Sequence, residues 1–497
     1  MATFTQQELE ARLWEAANCL RGPVDPADFK SYVFPILFFK WISDTWTAEH
    51  AEAVSDFGPD VPPEVEADYH RFTLPDGCHW NDVRNTTRNI GVKLRKTLDR
   101  IEEANPESLA GIFGDVAWGN KERLPEHALV NLIDTFDKVT LTREHVPGDM
   151  LGAAYEYLLK QFADESGKKA GEFFTPRAVV HLLVDILAPQ PGESVYDPAC
   201  GSGGMLVETI NAVRNAGGDP RTLRLYGQEV NLTTSAIARM NLFLHDLEDF
   251  RIARGDTFRE PKFLTDDALM TFDVVIANPP FSLQNWGADT WASDPYKRAF
   301  CGVPPAKYGD YAWIQHMIAS MRPGTGRVGV VMPHGVLFRG GAEAAIRQCL
   351  IERDLLEAVI GLPANLFYST TIPACLLIFR AAKPEQRRDH VLFVDGAARF
   401  TKGKNQNHMS DEDATAIATA YRTGSDPDGA GGVQVRLVPV DEIKANGWDL
   451  NIGRYVTSAV EETVDVKTAL AELAAAQAAL RRAEDELAKR LKAAGYA

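Results

Sequence analysis

Residues 194–204 read SVYDPACGSGG, in which a short apolar run ends in an acid and is followed by a glycine-rich loop. The next residues, up to Asn215, have the spacing of a helix. Glycines allow a sharp turn and a close approach of the backbone to a ligand, and the first turn of a helix has free N–H groups. The glycines lack the G-x-G-x-x-G spacing of a dinucleotide site, and the acid, Asp197, suits a cationic amino-acid ligand better than a pyrophosphate.

Around this loop, short apolar runs alternate with helical patterns from about residue 172 onward. This alternation predicts an α/β fold with a parallel, doubly wound sheet that is covered by helices on both faces. The last strands follow one another closely, which predicts an antiparallel edge, and the sheet is expected to be complete by about residue 395. The predicted strands are 194–197, 224–229, 252–256, 273–277, 328–332, 356–360, 375–379 and 391–394.

Three acids end the first three predicted strands: Asp197, Glu229 and Asp256. Because the carboxyl ends of parallel strands meet at one edge of the sheet, we expect the three side chains to serve one ligand. An ammonium suits Asp197, ribose hydroxyls suit Glu229, and an adenine amine suits Asp256. One such acid alone is more often a helix cap or a loop residue. Together with the glycine loop, the three acids predict a site for S-adenosylmethionine, which carries all three groups.

The fourth predicted strand is followed by Asn278, Pro279, Pro280 and Phe281. Two prolines make a rigid loop that donates no backbone hydrogen bonds, so the loop can present carbonyl oxygens, to which Asn278 adds an amide oxygen. Such acceptors match the two hydrogens of an aromatic amine, and Phe281 offers a face on which a base can stack. At this position the segment predicts methyl transfer to a planar amine or amide.

The bulk properties are those of an ordinary globular protein, with 45% hydrophobic and 24% charged residues. The longest apolar stretch is too short to cross a membrane, and six scattered cysteines without metal-type spacing predict reduced thiols, no metal site and a cytoplasmic location. The net charge of −17 is unusual for a protein that binds DNA unaided, because phosphate contacts need basic residues.

The two ends of the chain read as helical. Residues 1 to about 165 contain helical patterns at 29–46 and 89–104, with a loop rich in Pro, Asp and Gly at 56–82. Near the other end, a narrow apolar seam recurs every seven residues and suits packing on another helix. From spacing alone, its partner can be this chain or another subunit. The seam consists of Val466, Leu473, Leu480 and Leu487.

The motifs resemble those of the Rossmann-like amino-methyltransferases, and nearly the whole chain resembles the modification subunits of type I restriction–modification systems. The segment 171–177 (GEFFTPR) is similar to the cofactor-binding segment of that family. Two small departures are Ser202, where Thr is commoner, and Glu172, where Gln is common. Further similar segments are 32–44, 240–242, 338–341, 362–368, 448–450 and 454–455.

The resemblance implies an adenine-N6 DNA methyltransferase that acts on a flipped adenine and uses S-adenosylmethionine. It implies a Rossmann-like sheet with an N-terminal helical domain (1–165), a catalytic domain (166–400), an extension of it (401–457) and a C-terminal helix for partner docking (458–497). The implied partners are double-stranded DNA, a specificity subunit that binds two copies of this chain, and a restriction/translocase subunit. The implied catalytic residues are Asn278, Pro279, Pro280 and Phe281, and the implied cofactor-binding residues are Glu172, Phe173, Phe174, Thr175, Pro176, Arg177, Asp197, Ser202, Gly203, Gly204, Glu229 and Asp256.

Two other functions stay open at this point. An RNA or protein-glutamine amino-methyltransferase can use a similar Asn-Pro-Pro-aromatic loop, and an assembly subunit can keep the fold without catalysis. The helical N-terminal region and the terminal heptads favour the DNA enzyme, and the intact Asn278 loop argues against a vestigial fold. Cytosine-ring methylation is disfavoured, because it needs a cysteine beside a proline in the fourth-strand loop and Cys200 lies in the glycine loop instead.

Overall fold

The computed structural model describes residues 4–146, 149–166, 175–367, 372–404, 406–426, 432–456 and 466–493. The chain divides into two compact units, Met1–Val456 and Thr457–Ala497. Within the described residues, no helix combines the length and the apolar character needed to span a membrane.

Helices account for the first part of the larger unit. Their bounds are α1 (Gln6–Asn18), α2 (Phe29–Phe57), α3 (Pro63–Tyr69), α4 (Trp80–Arg84), α5 (Ile90–Ala104), α6 (Glu126–Asp137) and α7 (Met150–Ser166). The helix α2 continues beyond the predicted end near residue 46, and the segment 56–82, predicted as a loop, contains α3 and begins α4. Buried aromatic side chains hold this region together, and Phe34 of α2 packs on Tyr155 of α7 with ring centroids 4.3 Å apart.

The rest of the larger unit alternates strands with helices, as the sequence predicts. The strands are β1 (Ser194–Asp197), β2 (Arg224–Glu229), β3 (Phe250–Arg254), β4 (Leu264–Thr265), β5 (Ala268–Leu269), β6 (Val274–Ala277), β7 (Arg327–Pro333), β8 (Leu356–Gly361), β9 (Ala374–Arg380), β10 (His390–Asp395) and β11 (Gln434–Pro439). The helices are α8 (Arg177–Leu187), α9 (Gly204–Asn215), α10 (Leu232–Leu244), α11 (Ala288–Trp291), α12 (Asp310–Ala319), α13 (Gly335–Phe338), α14 (Ala342–Glu352), α15 (Asp411–Thr423), α16 (Val440–Ala445) and α17 (Ile452–Tyr455).

Nine of the described strands form one mixed sheet in the order β11-β10-β8-β9-β7-β6-β1-β2-β3. The strands β3, β2, β1, β6 and β7 are parallel neighbours, and β9 runs antiparallel between β7 and β8. The buried strands β1 and β6 pair directly, with Val195 opposite Val274. From β1 the chain winds outward to β2 and β3 and returns on the other side at β6. The crevice beyond the carboxyl ends of β1 and β6 is therefore a topological switch point, where open α/β sheets bind ligands.

The N-terminal helices pack on α10, which connects β2 to β3. The Tyr155 hydroxyl donates to the Ile237 carbonyl at 3.1 Å, and the Arg239 guanidinium donates to the Ala110 carbonyl at 2.6 Å. A Cβ on Gly152 of α7 would lie 2.5 Å from the ring of His245, so the two elements approach closely at this glycine. The helical region is thus fixed to the element that follows Glu229.

Three further observations correct the predictions. The sheet does not end near residue 395, because β11 adds an antiparallel strand to β10. The third strand ends at Arg254, so Asp256 lies in the following turn. Cys301 and Cys349, 48 residues apart, form a disulfide, so the prediction of six reduced thiols is wrong for this pair. The tertiary fold brings these two cysteines together, and their spacing in the sequence gives no sign of it.

The smaller unit contains α18 (Val466–Ala493), a helix of 28 residues. Its side chains Leu480 and Leu487 are 59% and 57% exposed. The other two members of the apolar seam have side chains outside the described set. The described half of the seam is therefore open to solvent.

Candidate functional site at the switch point

The glycine loop turns sharply between β1 and α9. Gly201 and Gly203 have φ angles of 54° and 82°, in the left-handed region that favours glycine. The Cys200 N–H donates to the Gln228 carbonyl at 3.0 Å, and the Gly201 N–H donates to a Glu229 carboxylate oxygen at 3.2 Å. The loop is thereby held against the end of β2, and the N-terminus of α9 faces the switch point.

Asp197 is a buried carboxyl at the end of β1, only 2% exposed. The pKa of this carboxyl is raised to about 8, chiefly by burial; the Ala199 N–H, which donates to it at 2.9 Å, lowers the pKa, and the nearby Glu229 carboxylate raises it. Among the described residues, no Lys, Arg or His forms an ion pair with Asp197. A buried acid beside a second acid favours a cationic ligand, because a positive charge would stabilise the ionised form.

Glu229 lies at the end of β2, where the sequence places it. Its two carboxylate oxygens accept from the backbone N–H groups of Gly201, in the glycine loop, and Asn231, at the start of α10, the latter at 2.8 Å. The carboxylate therefore lies between the two loops that border the predicted cofactor site, where it can accept hydrogen bonds from a ribose.

Asp256, unlike Glu229, has its hydrogen-bond and ion-pair partners within its own turn. Its carboxylate accepts from the Phe258 N–H at 2.9 Å and lies 3.5 Å from the Arg259 guanidinium, and its side chain is 40% exposed. It caps the turn after β3, so its contact with an adenine amine stays a prediction. Two residues that the sequence did not single out fasten this turn to the site. The Thr257 hydroxyl donates to the Pro198 carbonyl at 2.6 Å, and the buried Gln228 amide donates to the carbonyl of Gly255 at 3.1 Å.

Asn241 of α10, in the segment 240–242 that resembles the family, is a further functional candidate for which no role is predicted from the sequence. Its side chain is fully buried, its amide nitrogen donates to the Ser202 carbonyl at 3.0 Å, and its amide oxygen has no hydrogen-bond partner among the described residues. The resemblance of that segment is the available signal in the sequence. This hydrogen bond links α10 to the glycine loop and helps to fix the position of the loop.

The Asn278–Phe281 segment follows β6 and opens into the same crevice. The Asn278 amide nitrogen donates to the Thr175 hydroxyl at 2.8 Å, which ties the loop to the end of the predicted cofactor segment. The Asn278 amide oxygen is buried and has no hydrogen-bond partner within the described part of the chain. Buried polar atoms usually have a hydrogen-bond partner, and a ligand that donates a hydrogen bond here would supply one. The ring of Phe281 meets the ring of Phe367 edge to face, with centroids 5.9 Å apart.

The remaining predicted residues that the structure describes lie at the starts of α8 and α9. Thr175 and Pro176 are half-buried and precede α8, whereas Arg177 is exposed as the first residue of that helix. Gly204 begins α9 and has open space beside it, and Ser202 is half-buried. The predictions for Glu172, Phe173 and Phe174 fall outside the described residues.

Comparison with known proteins decides the family. An N-6 DNA Methylase model matches residues 146–463, and an HsdM N-terminal domain model matches residues 9–136. The chain belongs to the N-6 DNA methylase family. It is 32% identical to the type I restriction enzyme MjaVII methylase subunit of Methanocaldococcus jannaschii, over 94% of this chain and 81% of the relative. With the MpnII methylase subunit of Mycoplasma pneumoniae the identity is 30%, over 94% of this chain and 92% of the relative.

Solved structures agree with this assignment. The type I restriction-modification system methyltransferase subunit from Streptococcus thermophilus superposes with a TM-score of 0.79 and 31% identity, over 91% of this chain and 100% of that one. A chain solved to explain complex assembly and conformational transition in the type I R-M system shares the fold, with a TM-score of 0.64, 22% identity, and 98% and 99% coverage. The chain is thus a type I methylase subunit, an adenine-specific N6 DNA methyltransferase whose cofactor is S-adenosylmethionine.

The residues present at the switch point fit this cofactor. The buried Asp197 carboxyl matches the cationic amino-acid end, Glu229 can accept from the ribose, and the N-terminus of α9 provides N–H groups for a carboxylate. The buried acceptor of Asn278 lies across the crevice from the glycine loop, at the end of the neighbouring strand.

Cofactor binding near neutral pH is expected to release about one proton. The pKa of Asp197 is raised to about 8 in the free protein, so its carboxyl is mostly protonated at pH 7. An ammonium beside it favours the ionised form and lowers that pKa, so the proton leaves on binding. Calorimetry in two buffers of different ionisation enthalpy measures the release, and Asp197→Asn should release none. A wild-type binding heat that does not depend on the buffer would contradict this account of Asp197.

Proposed function

We propose that this site methylates the exocyclic amine of an adenine that has been flipped out of duplex DNA. The observation that carries the proposal is the buried amide oxygen of Asn278, at the end of β6, which has no hydrogen-bond partner within the described part of the chain. The Asn278 amide nitrogen is held by the Thr175 hydroxyl, so the oxygen is left for a donor on a ligand. An adenine amine has two hydrogens to donate to such a loop.

The chemistry requires the loop to change the shape of the amine. The lone pair of an adenine amine is delocalised into the ring, which makes the nitrogen a poor nucleophile. Hydrogen bonds to the Asn278 amide oxygen and the Pro279 carbonyl favour a pyramidal nitrogen and localise that lone pair. Bound S-adenosylmethionine supplies the methyl group. The residues 278–281 contain no base suited to neutral pH, so the proton leaves the nitrogen after the transfer.

Phe281 is proposed to hold the flipped base by stacking. Flipping costs a few kcal/mol, and stacking on an aromatic ring returns about 1–3 kcal/mol. The edge-to-face contact with Phe367 fixes the orientation of the Phe281 ring before the base arrives. Because the ring is already oriented, the loop does not have to rearrange before the base binds.

The chain is proposed to use a separate subunit to select its DNA sequence. The net charge of −17 argues against an independent DNA reader, because phosphate contacts need basic residues. The exposed Leu480 and Leu487 of α18 provide an apolar stripe for a partner helix. We propose two copies of this chain on one specificity subunit, a restriction/translocase subunit in the full complex, and a cytoplasmic location.

The division of labour along the chain follows from these roles. We propose a helical domain (1–165), a catalytic domain (166–400) with an extension (401–457), and a docking helix (458–497). In the catalytic domain, the proposed base-binding residues are Asn278, Pro279, Pro280 and Phe281. The proposed cofactor-binding residues are Glu172, Phe173, Phe174, Thr175, Pro176, Arg177, Asp197, Ser202, Gly203, Gly204, Glu229 and Asp256.

Asn278→Ala is expected to lower methyl transfer by at least about 100-fold, because the amine loses an acceptor needed for its reactive geometry. Cofactor affinity, measured by calorimetry, should change by less than about twofold, since a pure base contact adds nothing to cofactor binding. The exposed Gln284→Ala, in the same loop, is the matched control. The assay uses the complex with its specificity subunit, labelled cofactor, and DNA, RNA or protein as acceptor, followed by identification of the methylated residue. An active Asn278→Ala enzyme, or label in RNA or protein instead of N6-methyladenine, would contradict the proposal.

Replacing Leu480 and Leu487 together by Ser is expected to abolish co-purification with the specificity subunit and leave cofactor binding intact. The control is the double variant Ala478→Ser with Asp485→Ser. Each of its positions lies two residues before one of the leucines and therefore on the opposite side of the helix, outside the apolar stripe. Pull-down and calorimetry measure the two effects. If the Leu variant assembles as well as the control does, α18 is not the docking helix.

A further inference from the structure

The base-binding loop ends at a residue with an unusual backbone conformation. Ser282, directly after Phe281, has a φ angle of 53°. This left-handed conformation is costly for a residue with a Cβ atom, so Ser282 adopts it only if the surroundings stabilise the turn. What fixes Ser282 also fixes the direction in which residues 278–281 leave β6.

The Ser282 N–H donates to a carboxylate oxygen of Asp310 at 2.7 Å. Asp310 is the first residue of α12 and is completely buried. One residue earlier, the Gly309 N–H donates to the Leu283 carbonyl at 3.0 Å. A Cβ at Gly309 would lie 3.2 Å from the Trp286 ring, so the two chain segments are in close contact. The end of the loop is therefore joined to the start of α12 at two consecutive residues.

A second element holds Asp310 in turn. The guanidinium of Arg339, which follows α13 at the same edge of the sheet, donates to the other Asp310 carboxylate oxygen. The same guanidinium donates to both carboxylate oxygens of Glu343, at 2.6 and 3.0 Å, and lies over the Tyr308 ring at 4.5 Å. Glu343 is also buried. Buried charges of this kind are stabilised by their partners, and removal of one partner leaves the others uncompensated.

The position of Arg339 is itself determined by the fold. A Cβ at Gly335 would lie 2.6 Å from the Arg339 guanidinium, so the side chain folds back over a glycine. The Arg347 guanidinium donates to the Arg339 carbonyl at 3.1 Å and to the Trp448 carbonyl at 2.7 Å. The half-buried Arg339 is thus held in turn by the buried Arg347.

We propose that Asp310, held by Arg339, is a positioning residue that sets the orientation of the Asn278–Phe281 loop toward the target base. The proposal rests on the base-binding function proposed above for that loop. Asp310 touches no substrate in this account. It acts through the Ser282 N–H, and the acidic group is needed because it must accept from a backbone N–H and from a guanidinium at once.

Asp310→Asn tests the proposal with almost no change of shape. The amide keeps one acceptor for the Ser282 N–H but places an NH₂ group where Arg339 donates. We expect kcat on DNA to fall about 10- to 100-fold, as for a displacement of about 1 Å in a reacting group. Cofactor affinity should stay within about twofold of wild type, since Asp310 is not at the glycine loop. Hydrogen exchange of the peptide that contains Ser282 should accelerate, a readout that does not depend on activity.

Glu357→Gln is the matched control. Glu357 is 1% exposed and, like Asp310, is a buried carboxylate held by arginine; it pairs with two guanidinium groups, those of Arg380 and, at 2.8 Å, Arg387. It lies near the amino end of β8, at the opposite edge of the sheet from the site. The control should lose thermal stability as Asp310→Asn does, with kcat and Ser282 exchange as in wild type.

The outcomes separate the two hypotheses. If wild type lacks DNA methylation, the proposed function fails, whereas the exchange experiment still decides whether Asp310 holds Ser282. If wild type is active and a folded Asp310→Asn keeps its kcat or its Ser282 protection, the positioning role is overturned. The same holds if Glu357→Gln loses kcat to the same extent, because the effect is then one of stability alone. If Asp310→Asn fails to fold, Arg339→Lys takes its place. The lysine keeps the positive charge but cannot reach Asp310 and Glu343 together, so we expect the same loss of kcat and of Ser282 protection.

Discussion

The direct pairing of β1 with β6 is the constraint on which the rest of the site depends. The chain winds from β1 to β2 and β3 before it returns, so these neighbours in space are 79 residues apart in sequence at Val195 and Val274. Both strands are fully buried and parallel, so their carboxyl ends meet at one edge. The glycine loop and the Asn278 loop therefore begin at one edge of the sheet, where the proposed cofactor site and the proposed base site are neighbours.

A parallel pair of strands fixes where two loops begin but not which way they run. In this chain, residues outside both loops supply that direction. Thr257 and Asn241 hold the glycine loop from the turn after β3 and from α10, and Asp310 holds the end of the Asn278 loop from α12. Each contact is a hydrogen bond from or to a buried polar side chain, which is strong only when its geometry is kept. The amide oxygens of Asn241 and Asn278 at this site are buried and have no hydrogen-bond partner among the described residues.

The sequence predicts the strands of the sheet well, but it predicts poorly the side-chain hydrogen bonds that hold the two loops, for a physical reason. Strands such as β1 and β2 are read from local apolar runs, and their bounds are confirmed. The edge strand β11 shows no clear pattern, because half of its residues are exposed and their polarity is mixed. Asp256, predicted at the end of a strand, caps a turn, and the contact of Asp310 with Ser282 joins residues 28 apart. Long-range hydrogen bonds leave no periodic trace in a sequence.

The most direct test of the account is a crystal structure of this chain with S-adenosylhomocysteine, the product that the cofactor leaves behind. The account predicts the amino group of the ligand at Asp197, the ribose hydroxyls at Glu229, and the sulfur directed across the crevice toward the amide oxygen of Asn278. A ligand bound away from the carboxyl ends of β1 and β2, or bound there with its sulfur turned away from Asn278, would contradict the claim that the two loops form one methyl-transfer site.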